Sequence, residues 1–225
     1  MFWGSEVPSF RELKNQWKPQ ETWKQFAHFA DVRYLKGTRN LAIKYSARKD
    51  QNLQEQNLFY RYVDATYTKT DDYKSTSEYV FVVNGGAITW RLKKQTTITL
   101  SSTEAEYIAL SEAGHEACWL CNLYEELGYS QKSLNLLKGD NDGSIVMARN
   151  PQFYKWSKHI ATQWHWVRNL VQNGIISIES CRDPDQTADV LTKPLVHPKH
   201  QKHVNEMGMV TIWRGVLEDK PLPLS

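Results

Sequence analysis

The stretch LSSTEAEYIALSEAGHEACWL, Leu100 to Leu120, places four glutamates in a segment that otherwise reads as a helix packed on a core. At about 100° per residue, Ala109, Leu110, Ala113, Ala117 and Leu120 share one face, which Tyr124 and Leu127 continue toward a stop at Gly128. Glu106 falls inside that apolar stripe. Glu104 projects to nearly the opposite side, and Glu112 and Glu116 sit at the margins, within reach of water. A carboxylate removed from water is costly unless a cation, a metal or a set of donors meets it. Glu106 is therefore either a partly exposed acid beside a lysine or arginine, or a member of a group of acids sharing a metal.

Working outward, the 225 residues, with 40% hydrophobic and 12% aromatic content, suffice for one domain of ordinary size with a sizeable core. No apolar run reaches the 18 or so residues of a membrane span, and the first residues lack the apolar centre of a signal peptide. No membrane association is expected, and Cys118, Cys121 and Cys181, too few for a disulfide framework, fit a reducing compartment. The expected location is intracellular, cytoplasmic or nuclear. The net charge of +3 does not by itself call for a polyanion, so that argument rests on local clusters. WRLKKQ (90–95) contributes Lys93 and Lys94 without an acid. Arg149 to Arg168, RNPQFYKWSKHIATQWHWVR, combines Arg149, Lys155, Lys158 and Arg168 with five aromatic residues, His159, His165 and no acid. Such a segment suits phosphates and stacking, although an aromatic-rich helix with a solvated basic face has the same composition.

The order of elements is regular. Residues 23–37 read as a helix and 38–46 as a short strand, and a polar linker, ARKDQNLQEQN, marks a boundary near 57. LFYRYVDATYT is strand-like, and STSEYVFVVNGGAITWRL reads as two strands about an Asn-Gly-Gly turn. After the helix from about Ser102 come a strand (SLNLLKGD), a short helix stopped by Pro151, a longer helix closed by Gly174, a strand (IISIESC) and a final helix over DPDQTADVLTKPL. This order gives an α/β layer with a mixed sheet of about five strands flanked by helices, preceded by a short helix-and-strand remnant. The expected units are 1–57, 58–210 and a tail, 211–225.

Acids on separate elements can converge at one sheet edge, as a site of oxygen ligands for a hard cation requires. Asp64 lies within a strand, where aspartate is disfavoured, Asp140 at a strand end and Asp189 in the last helix. Taken singly, Asp140 reads as an N-cap and Asp189 as a helix-surface acid. With Glu106 they form four acids on four elements.

STSEYVFVVNGGAITWRLKKQTTITLSSTEAEYIALSEA, GDNDGSIVMARNP, KHIATQWHWVRNLV and DQTADVLTKPL resemble the ribonuclease H domain at the end of copia-type retrotransposon polyproteins, from about Leu58 to Met209. The resemblance implies a ribonuclease H-like fold with Asp64, Glu106, Asp140 and Asp189 as catalytic ligands of two Mg²⁺ ions, with Mn²⁺ as a possible substitute. It also implies an RNA–DNA hybrid as substrate, cut in its RNA strand. Lys93, Lys94, Lys155, Lys158, His159 and Arg168 are the expected nucleic-acid contacts, the basic ones through backbone phosphates. HFADVRYLKGTRNLAIKY is similar to the end of the reverse transcriptase preceding such domains, so the rest of a transposon polyprotein is a possible partner; otherwise a monomer is expected. YVDA lacks the second aspartate of the polymerase motif YVDD, and no polymerase activity is expected of this chain. Two departures stand out: ATYTK follows Asp64 where the family carries a further acid and Trp-Ala-Gly, and Glu78 replaces a glycine. They sustain a second reading, a catalytically silent relic acting at most as a nucleic-acid-binding or interaction module.

Three further signals are set aside. CWLC (118–121) lies in the long helix and reads as packing more readily than as half a zinc or redox site. His197, His200 and His203 read as a solvated tail. Glu179 alternates with Ile176 and Ile178 and is expected to face away from them, against an integrase-like role.

Overall fold

The computed structural model describes residues 32–45, 60–67, 73–129, 135–149, 161–213 and 216–218. Its main sheet has five strands: β2 (Tyr60–Thr66), β3 (Thr76–Val83), β4 (Gly86–Lys94), β5 (Asn135–Gly139) and β6 (Ile176–Ser180), in the order β4-β3-β2-β5-β6. The first three are antiparallel, and β5 and β6 join in parallel. The β3–β4 hairpin closes through Asn84 (φ 51°) and Gly85 (φ 78°). Both central residues adopt positive φ, so the turn's twist matches that of the strands, and asparagine and glycine are the residues that accept it most readily.

Helix α1 (Ser102–Glu126) crosses one face of this sheet, with α2 (Asp142–Arg149) and α3 (Ala161–Gln172) packed beside it. Alanines 105, 109, 113 and 117 let α1 approach the sheet closely, and Val63, Phe81, Leu110, Leu137, Val167, Leu170 and Ile178 fill the layer between. Each large aliphatic or Phe side chain buried there contributes roughly 1.5–3 kcal/mol. The expected stripe is present, but from Glu104 to Ser111 α1 is buried all round. Glu104, expected opposite the core, is buried as well. Its carboxylate accepts from Leu100 N–H, and its own N–H donates to the N-cap Ser101 Oγ at 3.2 Å. The incoming loop caps the helix and shields this acid, an effect periodicity does not register.

Two expectations are corrected on the opposite face. The final helix over 183–195 is instead two short 3₁₀ turns, Asp183–Asp185 and Thr187–Leu191. Gln186 between them is extended, and its side-chain amide donates to the Val63 carbonyl at 2.9 Å, so pinning the chain to β2 replaces helix continuation. The histidine run is no solvated tail either: it forms α4 (His197–Glu206), with His203 and Val204 buried. His203 Nδ1 lies 3.0 Å from Glu206 Oε2, and Thr187 Oγ1 donates to the same oxygen at 2.6 Å.

A second sheet pairs β1 (Leu41–Ile43) with β7 (Met209–Trp213) and β7 with β8 (Val216–Glu218), all antiparallel. It docks on the hairpin end of the main sheet: Lys44 N–H donates to Gly208 O (2.8 Å), Ala87 N–H to Met207 O (2.9 Å) and Tyr45 hydroxyl to Ala87 O (2.7 Å). Residues from all three units expected at 1–57, 58–210 and 211–225 thus meet through backbone hydrogen bonds. Of the remnant helix expected over 23–37, the described part is helical over 32–38. No helix among the described residues is long and apolar enough to cross a membrane.

Candidate metal centre

Asp64 projects from the middle strand of the sheet, Glu106 from the second turn of α1 and Asp140 from the end of β5. The strand order sets β2 beside β5, and α1 lies over β2, so the three acids share one edge. One carboxylate oxygen from each lies within 4.8 Å of the other two. Asp64 and Glu106 are buried, and Asp140 is the most accessible of the three. Burial, followed by the charges of Asp64 and Asp140, pushes the Glu106 carboxyl up to about 10. Burial and then Asp64 push Asp140 up to about 6. Carboxylates packed this closely repel unless a proton or a cation intervenes.

Asp189, the fourth expected acid, stands next to the triad and outside it. Its 3₁₀ turn lies across the opposite face of the sheet, and each of its oxygens meets a lysine: Oδ1 lies 2.7 Å from Lys193 Nζ, and Oδ2 lies 2.9 Å from Lys199 Nζ. Burial alone raises this carboxyl, but the hydrogen bonds from the two lysines overcome it, and the group sits below the usual aspartate range. Lys193 Nζ also lies 2.9 Å from Asp64 Oδ2. One ammonium thus faces both acids, and the Asp64 oxygen it meets is buried from solvent.

Glu78, opposite Asp64 in the β2–β3 register, is fully buried. Thr66 Oγ1 donates to its Oε1 at 2.8 Å, and the Thr192 hydroxyl donates to its Oε2. Burial pushes this carboxyl up to about 7 against the opposing effect of those hydroxyls. Glu78, Thr192, Lys193 and Lys199 were not among the expected site residues. Lys193 stands four residues after Asp189, a spacing that permits pairing along a helical turn, and Glu78 is the residue where the resemblance expects glycine.

The expected N-cap role of Asp140 belongs to its neighbour: Asn141 Oδ1 accepts from Ser144 N–H at 2.9 Å. Lys93 and Lys94 are exposed on the edge strand β4. Arg168 is half-buried on α3, which packs toward α1, α2 and β6, so these cations lie toward opposite edges of the sheet. Lys155, Lys158 and His159 lie outside the described residues. Cys118, Cys121 and Cys181 form no disulfide, and Glu179 is exposed.

No family model matches the chain. It is 35% identical over 182 residues to the Retrovirus-related Pol polyprotein from transposon RE2 of Arabidopsis thaliana, covering 80% of this chain and 12% of that protein. It is 32% identical over 179 residues to the Retrovirus-related Pol polyprotein from transposon TNT 1-94 of Nicotiana tabacum, covering 79% and 13%. The chain thus spans about an eighth of the length of these relatives. Among solved structures, it is similar to LC11-RNase H1 isolated from compost (TM-score 0.47, 13% identity, 60% of this chain and 92% of that one). A second is the N-terminal RNase H domain of Rv2228c from Mycobacterium tuberculosis (TM-score 0.44, 11% identity, 65% and 95%). With its five-stranded mixed sheet and the sequence motifs described above, the chain belongs with the Pol polyproteins of copia-type retrotransposons and has a ribonuclease H-like fold.

Proposed function

We propose that the chain is a divalent-metal-dependent ribonuclease that hydrolyses the RNA strand of RNA–DNA hybrids. The observation that carries this reading is the triad of Asp64, Glu106 and Asp140, three oxygen ligands within 4.8 Å of one another. The donor set fits Mg²⁺ or Mn²⁺: it is all carboxylate, and it is crowded enough to hold Glu106 and Asp140 protonated beyond their ordinary range. A bound ion supplies an activated water and neutralises charge on the phosphate under attack. The protein fixes the three ligands on a strand, a helix and a strand end, so they need little rearrangement to receive it. Of the two ions that the resemblance implies, this triad accounts for one. Lys93 and Lys94 on the open β4 edge are accessible to phosphates, and the hybrid's shape and 2′-hydroxyls would select RNA. On this reading the chain works inside the cell, in cytoplasm or nucleus, alone or within a transposon polyprotein.

A second reading, a silent relic that binds nucleic acid or a partner, is favoured by one observation: Asp64 and Asp189 are already paired with Lys193. Incubating the purified chain with an end-labelled RNA–DNA hybrid and Mg²⁺ or Mn²⁺ separates the two. The enzyme reading expects cleavage of the RNA strand alone, abolished by Asp64→Asn and by EDTA; no cleavage with either ion refutes it. Replacing Lys155 and Lys158 by alanine tests the expected phosphate contacts, with the slope of log affinity against log salt expected to fall by about one unit per lost contact.

A further inference from the structure

We infer that Lys193 is a built-in cation of this centre, standing between Asp64 and Asp189 in the place of a second divalent ion, so that the chain takes up one ion on Asp64, Glu106 and Asp140. The inference rests on the metal-dependent reading above and fixes its stoichiometry. The Lys193 ammonium lies 2.7 Å from Asp189 Oδ1 and 2.9 Å from Asp64 Oδ2, bridging the two acids that a second ion would have to share. The other oxygen of Asp189 is held by Lys199 at 2.9 Å, and Lys199 is tied in turn to Asp183 at 2.8 Å. A second ion on Asp189 would have to break at least one of these pairs and shed part of its own hydration, which Mg²⁺ does reluctantly.

The lysine is held in place through its own backbone and through its neighbour Thr192. Its backbone N–H donates to the Asp189 carbonyl at 2.9 Å, closing the turn that brings the side chain back over the acid. Thr192, immediately before it, is pegged by its hydroxyl to Glu78 and accepts from Thr66 Oγ1 at 3.2 Å. Glu78 lies opposite Asp64 on the neighbouring strand, so the residue that departs from the family's glycine is the one that anchors the lysine's neighbour. Glu78 is thus a positioning residue for Lys193. An ammonium at this point offsets the charge of Asp64 and Asp189 and can face a phosphate oxygen. It has no open coordination position and so cannot itself activate a water.

The test counts bound ions on the purified full chain by Mn²⁺ titration, read by electron paramagnetic resonance and equilibrium dialysis, for wild type, Lys193→Arg and Lys193→Met. One ion is expected in wild type and in the arginine variant. Two are expected in the methionine variant, the second lost when Asp189→Asn is added. Two ions in wild type overturn the inference and leave the nuclease reading intact; this arm decides even if the methionine variant fails to fold. One ion in both wild type and a folded methionine variant also overturns it, since the lysine would then hold no ion's place. No ion in any form refutes the metal-dependent reading together with this one.

Discussion

Glu106→Gln in the metal-free protein tests the electrostatics of the centre most directly. Glu106 is only 6% exposed, and burial with two neighbouring acids moves its carboxyl from 4.5 to about 10. The folded-state value is raised, so the group's favourable contribution is complete below about 4.5 and is lost progressively as pH rises toward about 10. At neutral pH the unfolded chain carries an ionised Glu106 and the folded chain a protonated one. The interval is roughly 2.5 pH units at about 1.4 kcal/mol each, a cost to folding of roughly 3.5 kcal/mol at most. Glutamine keeps the shape and removes that cost. The variant without metal should be stabilised by about 2–3 kcal/mol, a rise in Tm of roughly 4–12 °C for a chain of this size. Millimolar Mg²⁺ should then raise the wild-type Tm and leave the variant nearly unmoved, because the triad has lost a ligand. Differential scanning calorimetry in EDTA and in Mg²⁺ reads both effects. A glutamine variant less stable than wild type in EDTA would refute the reasoning, because Glu106 would then be a satisfied structural residue.

Because the protons held on Glu106 and Asp140 must leave before an ion binds, Mg²⁺ affinity measured by calorimetry should rise steadily with pH from about 6 upward; an affinity flat with pH would mean the triad is not the binding site. Asn141→Ala should destabilise the protein by about 1 kcal/mol through loss of the α2 cap, whereas Asp140→Ala should not, as urea melts would show. Gly208→Ala should destabilise by more than 1 kcal/mol, roughly, since φ is +78° there and a methyl group would fall 2.3 Å from Gly85 O. Faster hydrogen exchange at the Lys44 and Ala87 amides would place that damage where the second sheet docks.

Local pattern made much of this molecule legible. The Asn-Gly turn fixed the β3–β4 hairpin, because few residues accept positive φ, and the spacing of apolar residues set the phase of α1 well enough to put Glu106 toward the sheet. Aspartate in the middle of an otherwise buried strand marked Asp64. The motif resemblance supplied Asp140, whose adjacency to a helix pointed locally to a cap that Asn141 in fact provides. Periodicity could not report that Glu104 is also buried, because its cover comes from a loop and not from the helix's own face. Nor could it find the helix holding His203, which is covered where Thr187 arrives from the 3₁₀ segment. The partnership of Lys193 with Asp64 joins positions 129 residues apart and exists only because Gln186 pins the 3₁₀ segment across β2. Local propensity and periodicity report what a residue does to its own element. Whether a buried acid meets a metal, a proton or a lysine depends on which distant side chains the packing brings within 3 Å, roughly, where Coulomb energies in a poorly solvated site outweigh any local preference.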